Sequence, residues 1–385
     1  MAESVSIPGP LAHLKVLDLS RLYPGAFASA LLADMGADVL KIEAPKGGDG
    51  LRFMSGTTTS PVHSALNRGK RSLTLDIRDP KGAEIFRRLV AGADIVIDSH
   101  RPGALSELGI AWEQLRVGHP GLVWCSITGF GQQSPHAALP GHDITYAGYS
   151  GLLSKLSSDG VPPLPSIVVA IPVAALMAVS GILAAIAGRD ATGEGAFVDA
   201  SITDSAMWML NEEIARQSSA PAPGWGNMAA RGIYRCADGN YVTVASNEPR
   251  TWANLCAGME LPELADHRHG SDEPAAIAKL GARFLEKPAA QWTASPGLHG
   301  GVGPVNRPED LLVDPHLAAR GGLALVNSGE PMRILTSPLR FTRDNGPEVP
   351  ASTPAPDLGA DTDDVLLGLG LSPAEIASLH ETGIV

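Results

Sequence analysis

The chain has 385 residues, 44% of them hydrophobic and only 5% aromatic, a composition that suits two or three compact domains and excludes a disordered or fibrous molecule. Acidic residues outnumber basic ones by 41 to 29, which excludes whole-molecule attraction to nucleic acid or an anionic membrane, so an anionic ligand needs a local basic cluster. Cys125, Cys236 and Cys256 are far apart and lack metal-ligand spacing, which predicts no metal site, no disulfide framework and a reducing, cytoplasmic setting.

The N-terminus MAESVSIPGPLAHLK has no charged start followed by an apolar run, so it does not read as a signal peptide. LKVLDLS (14–20) reads as a buried strand, PGAFASALLADMG (24–36) as a helix with Pro near its start and Gly at its end, and ADVLKIEA (37–44) as a second strand. The pattern recurs through SLTLDI, PKGAEIFRRLVAGA, DIVIDS, PGALSELGI and LVWCSITGFG. Such alternation predicts an α/β, doubly wound parallel sheet with ligands at the strand C-terminal ends. No GxGxxG follows the first strand, so a dinucleotide is not indicated.

GHDITY (141–146) sets an imidazole beside a carboxylate. Read alone, Asp143 caps the first turn of its own helix and His142 is idle, or the pair carries chemistry; six residues leave both open. IVVAIPVAALMAVSGILAAIAG (167–188) has the length of a membrane span, but Pro172 and Gly181 interrupt it, Ala dominates it and no second span exists, so it reads as a buried core helix. GAFVDASITDSAMWMLNEEIARQ is a strand leading into a helix, and the Pro/Gly/Ser-rich SSAPAPGWGNMAARG after it lacks a sustained period. Asp238-Gly239 between alternating runs signals a β-hairpin, and Ser372-Pro373 starts a last helix. Met177, Trp208, Met209 and Trp225 read as ordinary core rather than as an acyl-chain pocket.

Several segments, taken in order, resemble the class III CoA-transferase and α-methylacyl-CoA racemase family (CaiB/BaiF-like), on its racemase-like branch. They include LDLSRLYPGAFASALLADMGADVLKIEAPKGGD, NRGKRSLTLDIRDPKG, ADIVIDSHRPGALSELGI, the stretch around GHDITY, GILAAIAGRDATGEGAFVDASITDSA, YRCADGNYVTVASNEPRTW and DPHLAARG. The resemblance implies a large Rossmann-like domain built from both chain ends, with its first part at 1–205 and its return at 336–385. Linkers at 206–231 and 301–335 would flank a small α+β domain at 232–300. It further implies an interlocked homodimer acting on acyl-CoA thioesters, with coenzyme A as part of the substrate and no metal or redox cofactor.

By the same resemblance, Arg52, Asn67, Arg68, Lys70, Arg71 and Arg101 stand around CoA, whose phosphates suit guanidinium and ammonium donors. His142 matches the histidine that racemases use as acid/base at the thioester α-carbon, a role suited to a group that titrates near neutrality. Asp143 matches the position of the transferase nucleophile. Glu248 in NEP matches an acidic residue that racemases hold close to the histidine. The second racemase base, an Asp opening the apolar helix, falls at Ala170, and no Asp or Glu occurs from 160 to 189. The residues therefore favour one-sided or racemase-like proton exchange. A transferase using Asp143 and a noncatalytic acyl-CoA-binding homologue are the alternatives.

Overall fold

Short apolar runs form the strands β1 (Lys15–Asp18), β2 (Asp38–Glu43), β3 (Arg71–Thr74), β4 (Ile95–Asp98), β5 (Val123–Thr128) and β6 (Phe197–Ser201). In the computed structural model, which describes residues 9–54, 60–157, 160–219, 228–267, 272–298, 300–328, 330–343, 346–348 and 353–385, they pair all-parallel in the order β3-β2-β1-β4-β5-β6. A parallel sheet is covered on both faces, which is why β4 and β5 are buried at every residue. Alternation then sorts the side chains: Ile95 and Ile97 join one core with Val123 and Cys125, and Val96 joins the other with Trp124 and Phe86.

Helix α1 (Tyr23–Asp34) and the 23-residue helix Ala170–Thr192 cover the first face. The longer helix is apolar and long enough to cross a membrane, and its Ala170, Ala174, Ala178 and Ile182 are fully buried in this core. Neither residue expected to interrupt it does so. Pro172 sits in the first turn, where a helix needs no amide donor, and a Cβ on Gly181 would meet Val198 Cγ1 at 2.7 Å, so the glycine lets the helix approach β6. On the other face lie the helix Pro80–Val90 and the C-terminal helices Thr362–Gly368 and Pro373–Thr382. Ser372 and Glu375 form the capping box that starts the last helix, and Ile384 and Val385 end in the same core as Leu73.

The chain divides into two compact units, Met1–Glu212 with His316–Val385, and Glu213–Pro315. The second holds the hairpin around Asp238-Gly239, β7 (Arg231–Arg235) and β8 (Tyr241–Ala245), joined by β9 (Val302–Pro304). The stretches expected as linkers are largely structured: helices Ile202–Trp208 and Asn211–Ser218 enter the first, and β9 with the hairpin β10 (Leu323–Ser328) and β11 (Glu330–Leu335) occupy the second. Residues 220–227 of the first, with Trp225, lie outside the described residues. Met177, Trp208 and Met209, expected as core, are 39%, 64% and 54% exposed.

A buried ion cluster stands at the C-terminal ends of β1 and β2. Lys41 Nζ lies 3.0 Å from Asp49 Oδ2, Lys70 Nζ lies 3.1 Å from Asp18 Oδ2, and Arg52 grips Glu43 through Nε and Nη2. Burial alone would raise the Asp18 carboxyl, yet Lys41 and Lys70 hold it well below the usual range. Burial opposes ionisation of Glu43 too, but Arg52, Lys41 and the Ser72 hydroxyl bring it down to about 2. Burial, reinforced by the Arg52 charge, lowers His63 to about 4.

Both Glu43 and His63 take up protons less readily folded than unfolded, so stability is lost as pH falls. The His63 share goes between about pH 6.5 and 4, and the Glu43 share between about 4.5 and 2. Urea midpoints measured downward from about pH 7 are expected to decline through both windows, and His63→Gln should flatten the upper one.

Candidate active site

The strand order reverses between β1 and β4, and a cavity of about 700 Å³ opens beyond the C-terminal ends of β1, β4 and β5. The β1–α1 turn at Arg21–Pro24, the segment Ser99–Pro102 after β4, and the loop carrying GHDITY enclose it.

Five of the six residues of GHDITY line the cavity, and Ile144 is exposed. Tyr146 lays its ring against Gly141 and Gly129, where added Cβ atoms would fall 2.7 and 2.4 Å from it, and donates its hydroxyl to the Gly141 carbonyl at 2.9 Å. Phe130 meets the same ring edge-on at 5.4 Å. His142 is the N-cap of helix Asp143–Tyr149; its backbone N–H donates to Thr145 Oγ1 while its exposed ring lines the cavity.

Asp143 does cap a helix, but not its own. Its carboxylate accepts N–H bonds from Val169 at 2.8 Å and from Ala170 and Ile171 at 2.9 Å, closing the N-terminus of the long apolar helix. The weak capping residue Val169 is thereby supplemented from 26 residues upstream, and the negative charge meets the positive end of the helix dipole. This cap also fixes where the adjoining His142 stands on the cavity wall.

Ala170, expected from the resemblance at the place of a second base, is fully buried among Ala174 and Ile171 in the core, and its neighbour Ile171 reaches the cavity. An Asp there would bury a second carboxylate beside that of Asp143. Ala170→Asp is expected to cost about 2–4 kcal/mol at neutral pH and less in acid, where the two carboxyls share a proton; thermal melts at both pH values check this.

The basic residues expected around CoA separate sharply. Arg101 lines the cavity, and neither its guanidinium nor that of Arg21 makes a side-chain hydrogen bond or ion pair among the described residues. Arg52 is committed to Glu43 and the Pro356 carbonyl. Lys70 is buried and donates to Asp18, Ser29 and the Asn67 side-chain oxygen, so both Lys70 and Asn67 belong to the ion cluster beneath the site. Arg71 pairs with Asp38 at the first residues of β3 and β2, the opposite edge of the sheet. Arg68 pairs with Asp34 and lines a separate cavity of about 860 Å³ between α1 and the segment 316–340. These four cations are taken up internally because β-strand and helix ends bring carboxylates to them. Arg21 escaped the sequence reading; its place three residues past the end of the first strand was the signal.

Glu248 lies in the second unit as the N-cap of helix Pro249–Gly258. Its carboxyl is held below the usual range by its own backbone N–H and the Thr251 hydroxyl. A further cavity of about 280 Å³ opens beyond β1, β2 and β3, lined by Arg21, Glu43, Asp49, Arg78 and His100.

The two neighbouring cavities share Arg21 as a lining residue, and the larger adds Arg101, so guanidinium groups suited to an anionic ligand face this site. Residues 11–362 match the model of CoA-transferase family III. The chain belongs to CoA-transferase family III. Its family III relatives include the succinate–glutarate CoA-transferase of Agrobacterium fabrum, 31% identical over 94% of this chain and 96% of that protein. Alpha-methylacyl-CoA racemase of Homo sapiens is likewise 31% identical, over 97% of each chain. Among solved structures, a CAIB/BAIF family protein from Brucella suis is 30% identical, with a TM-score of 0.81 over 94% of this chain and 100% of that one. The family III fold seen here is thus shared by relatives named for two different reactions of acyl-CoA.

Proposed function

We propose that the protein exchanges the α-proton of an acyl-CoA thioester, a racemase-like reaction in which His142 is the acid/base and only one face of the α-carbon is served. The observation that carries this reading is the exposed His142 ring on the cavity wall beside an Asp143 already engaged by three backbone amides. The thioester carbonyl acidifies the α-proton, His142 removes it, and the enolate is reprotonated from the same side. The Arg21 and Arg101 guanidinium groups, which line the cavity, supply the positive charge for the CoA phosphates. Ala170 offers no second proton donor, so inversion is slow compared with exchange.

The second reading, CoA transfer through an acylated Asp143, draws on the transferases among the relatives. The three amide donors stabilise the Asp143 carboxylate and weaken it as a nucleophile, which is why we place that reading second. A homodimer of the interlocked kind fits the exposed Leu176, Trp208 and Met209, at 57%, 64% and 54%. Incubation of a 2-methylacyl-CoA with the protein in D2O should give α-deuteration. Absence of deuterium, together with turnover of acyl-CoA plus a free carboxylate and hydroxylamine trapping at Asp143, would sink the proposal.

A further inference from the structure

The β1–α1 turn contains the most strained backbone in the site. Leu22 has φ 61° and ψ −150°, a region that only glycine enters freely, yet it lines the cavity that holds His142. Such a conformation persists only where its surroundings impose it. Here they do so from both flanking strands. The Asp49 carboxylate accepts the Leu22 N–H on both oxygens at 3.1 Å, and Ser99, just after β4, accepts the Arg21 N–H at 2.9 Å. Gly50 has no Cβ to meet Leu22 Cδ2, which would lie 3.0 Å away.

Asp49 is itself immobilised. It is 3% exposed, takes the Lys41 ammonium at 3.0 Å and the Leu51 N–H at 2.9 Å, and its own N–H donates to Glu43 Oε1 at 3.0 Å. Lys41 Nζ also donates to the Ser20 carbonyl at 3.1 Å, so the ion cluster grips the turn at a second point.

We propose that Asp49, backed by Lys41, is a positioning residue that holds Arg21–Leu22–Tyr23 in its strained form and so sets the wall between the two cavities beyond β1. Arg21 lines both of them and Leu22 only the larger. The buried charges thereby gain a task beyond cohesion: they carry the cost of a turn that, relaxed, would move Arg21 and Leu22 away from a bound thioester. This role rests on the acyl-CoA reading of the site.

The test uses the full chain and coenzyme A itself as the probe, with binding read by calorimetry and stability by melting. Asp49→Asn should weaken CoA binding about tenfold, the scale of the strain it restrains. Leu22→Gly adopts the same backbone freely, so adding Asp49→Asn to Leu22→Gly should weaken binding by much less. Ser99→Ala removes the other clamp and should act in the same direction if Asp49→Asn fails to fold. A purely structural Asp49 would lower the melting temperature equally in both backgrounds and leave CoA binding unchanged, which overturns the proposal. A wild-type protein that binds no CoA overturns the functional reading and this role with it; one that binds CoA as well after Asp49→Asn overturns the role alone.

Discussion

His142→Ala is expected to abolish α-proton exchange, lowering its rate by about 10²- to 10⁴-fold, the usual worth of a positioned acid/base group. The ring is exposed and makes no packing contribution comparable to that of Tyr146, so the melting temperature should stay close to wild type. CoA should still bind, since the guanidinium groups of Arg21 and Arg101 are untouched. Exchange measured by mass spectrometry alongside calorimetric CoA titration separates these effects. A variant that exchanged at the wild-type rate would remove His142 from the chemistry.

Asp143→Ala is expected to be the most destabilising change in the motif. It strips the acceptor from three amides at the start of a helix that fills the core, a loss of about 2 kcal/mol read by urea unfolding. Asp143→Asn keeps an acceptor oxygen and should recover most of that stability. The pair of variants also divides the two reactions. Under proton exchange Asp143→Asn retains measurable activity, because its task is to fix the helix and the adjoining His142. Under CoA transfer the same variant has lost its nucleophile and should be inert while folded.

The fold was legible where a local rule governs it. Strands such as DIVIDS are buried on both faces and must be apolar throughout, and Ser372-Pro373 with Glu375 carries its helix start within four residues. The site was legible only in part. GHDITY marked a loop that lines the cavity, but the helix that Asp143 caps begins 27 residues later, and no local pattern encodes that pairing. Charge misled for the same reason. Arg52, Lys70 and Arg71 look like ligand-binding groups in a row of sequence, yet Glu43, Asp18 and Asp38 come to them from neighbouring strands. Arg101 and Arg21, each three residues past the end of a strand, are the ones left facing the cavity. Asp49 was visible only as part of a matched segment, since its importance lies in the φ of Leu22, a property of backbone that residue types do not announce.

The account turns on a single acid/base group serving one face of the α-carbon. A single enantiomer of a 2-methylacyl-CoA, incubated in D2O and followed in time for both deuterium content and configuration, tests this directly. The account predicts deuterium uptake that runs well ahead of any loss of configuration and that vanishes in His142→Ala. Deuterium uptake and inversion proceeding at the same rate would contradict it, as would transfer of CoA to a free acid with no deuterium uptake.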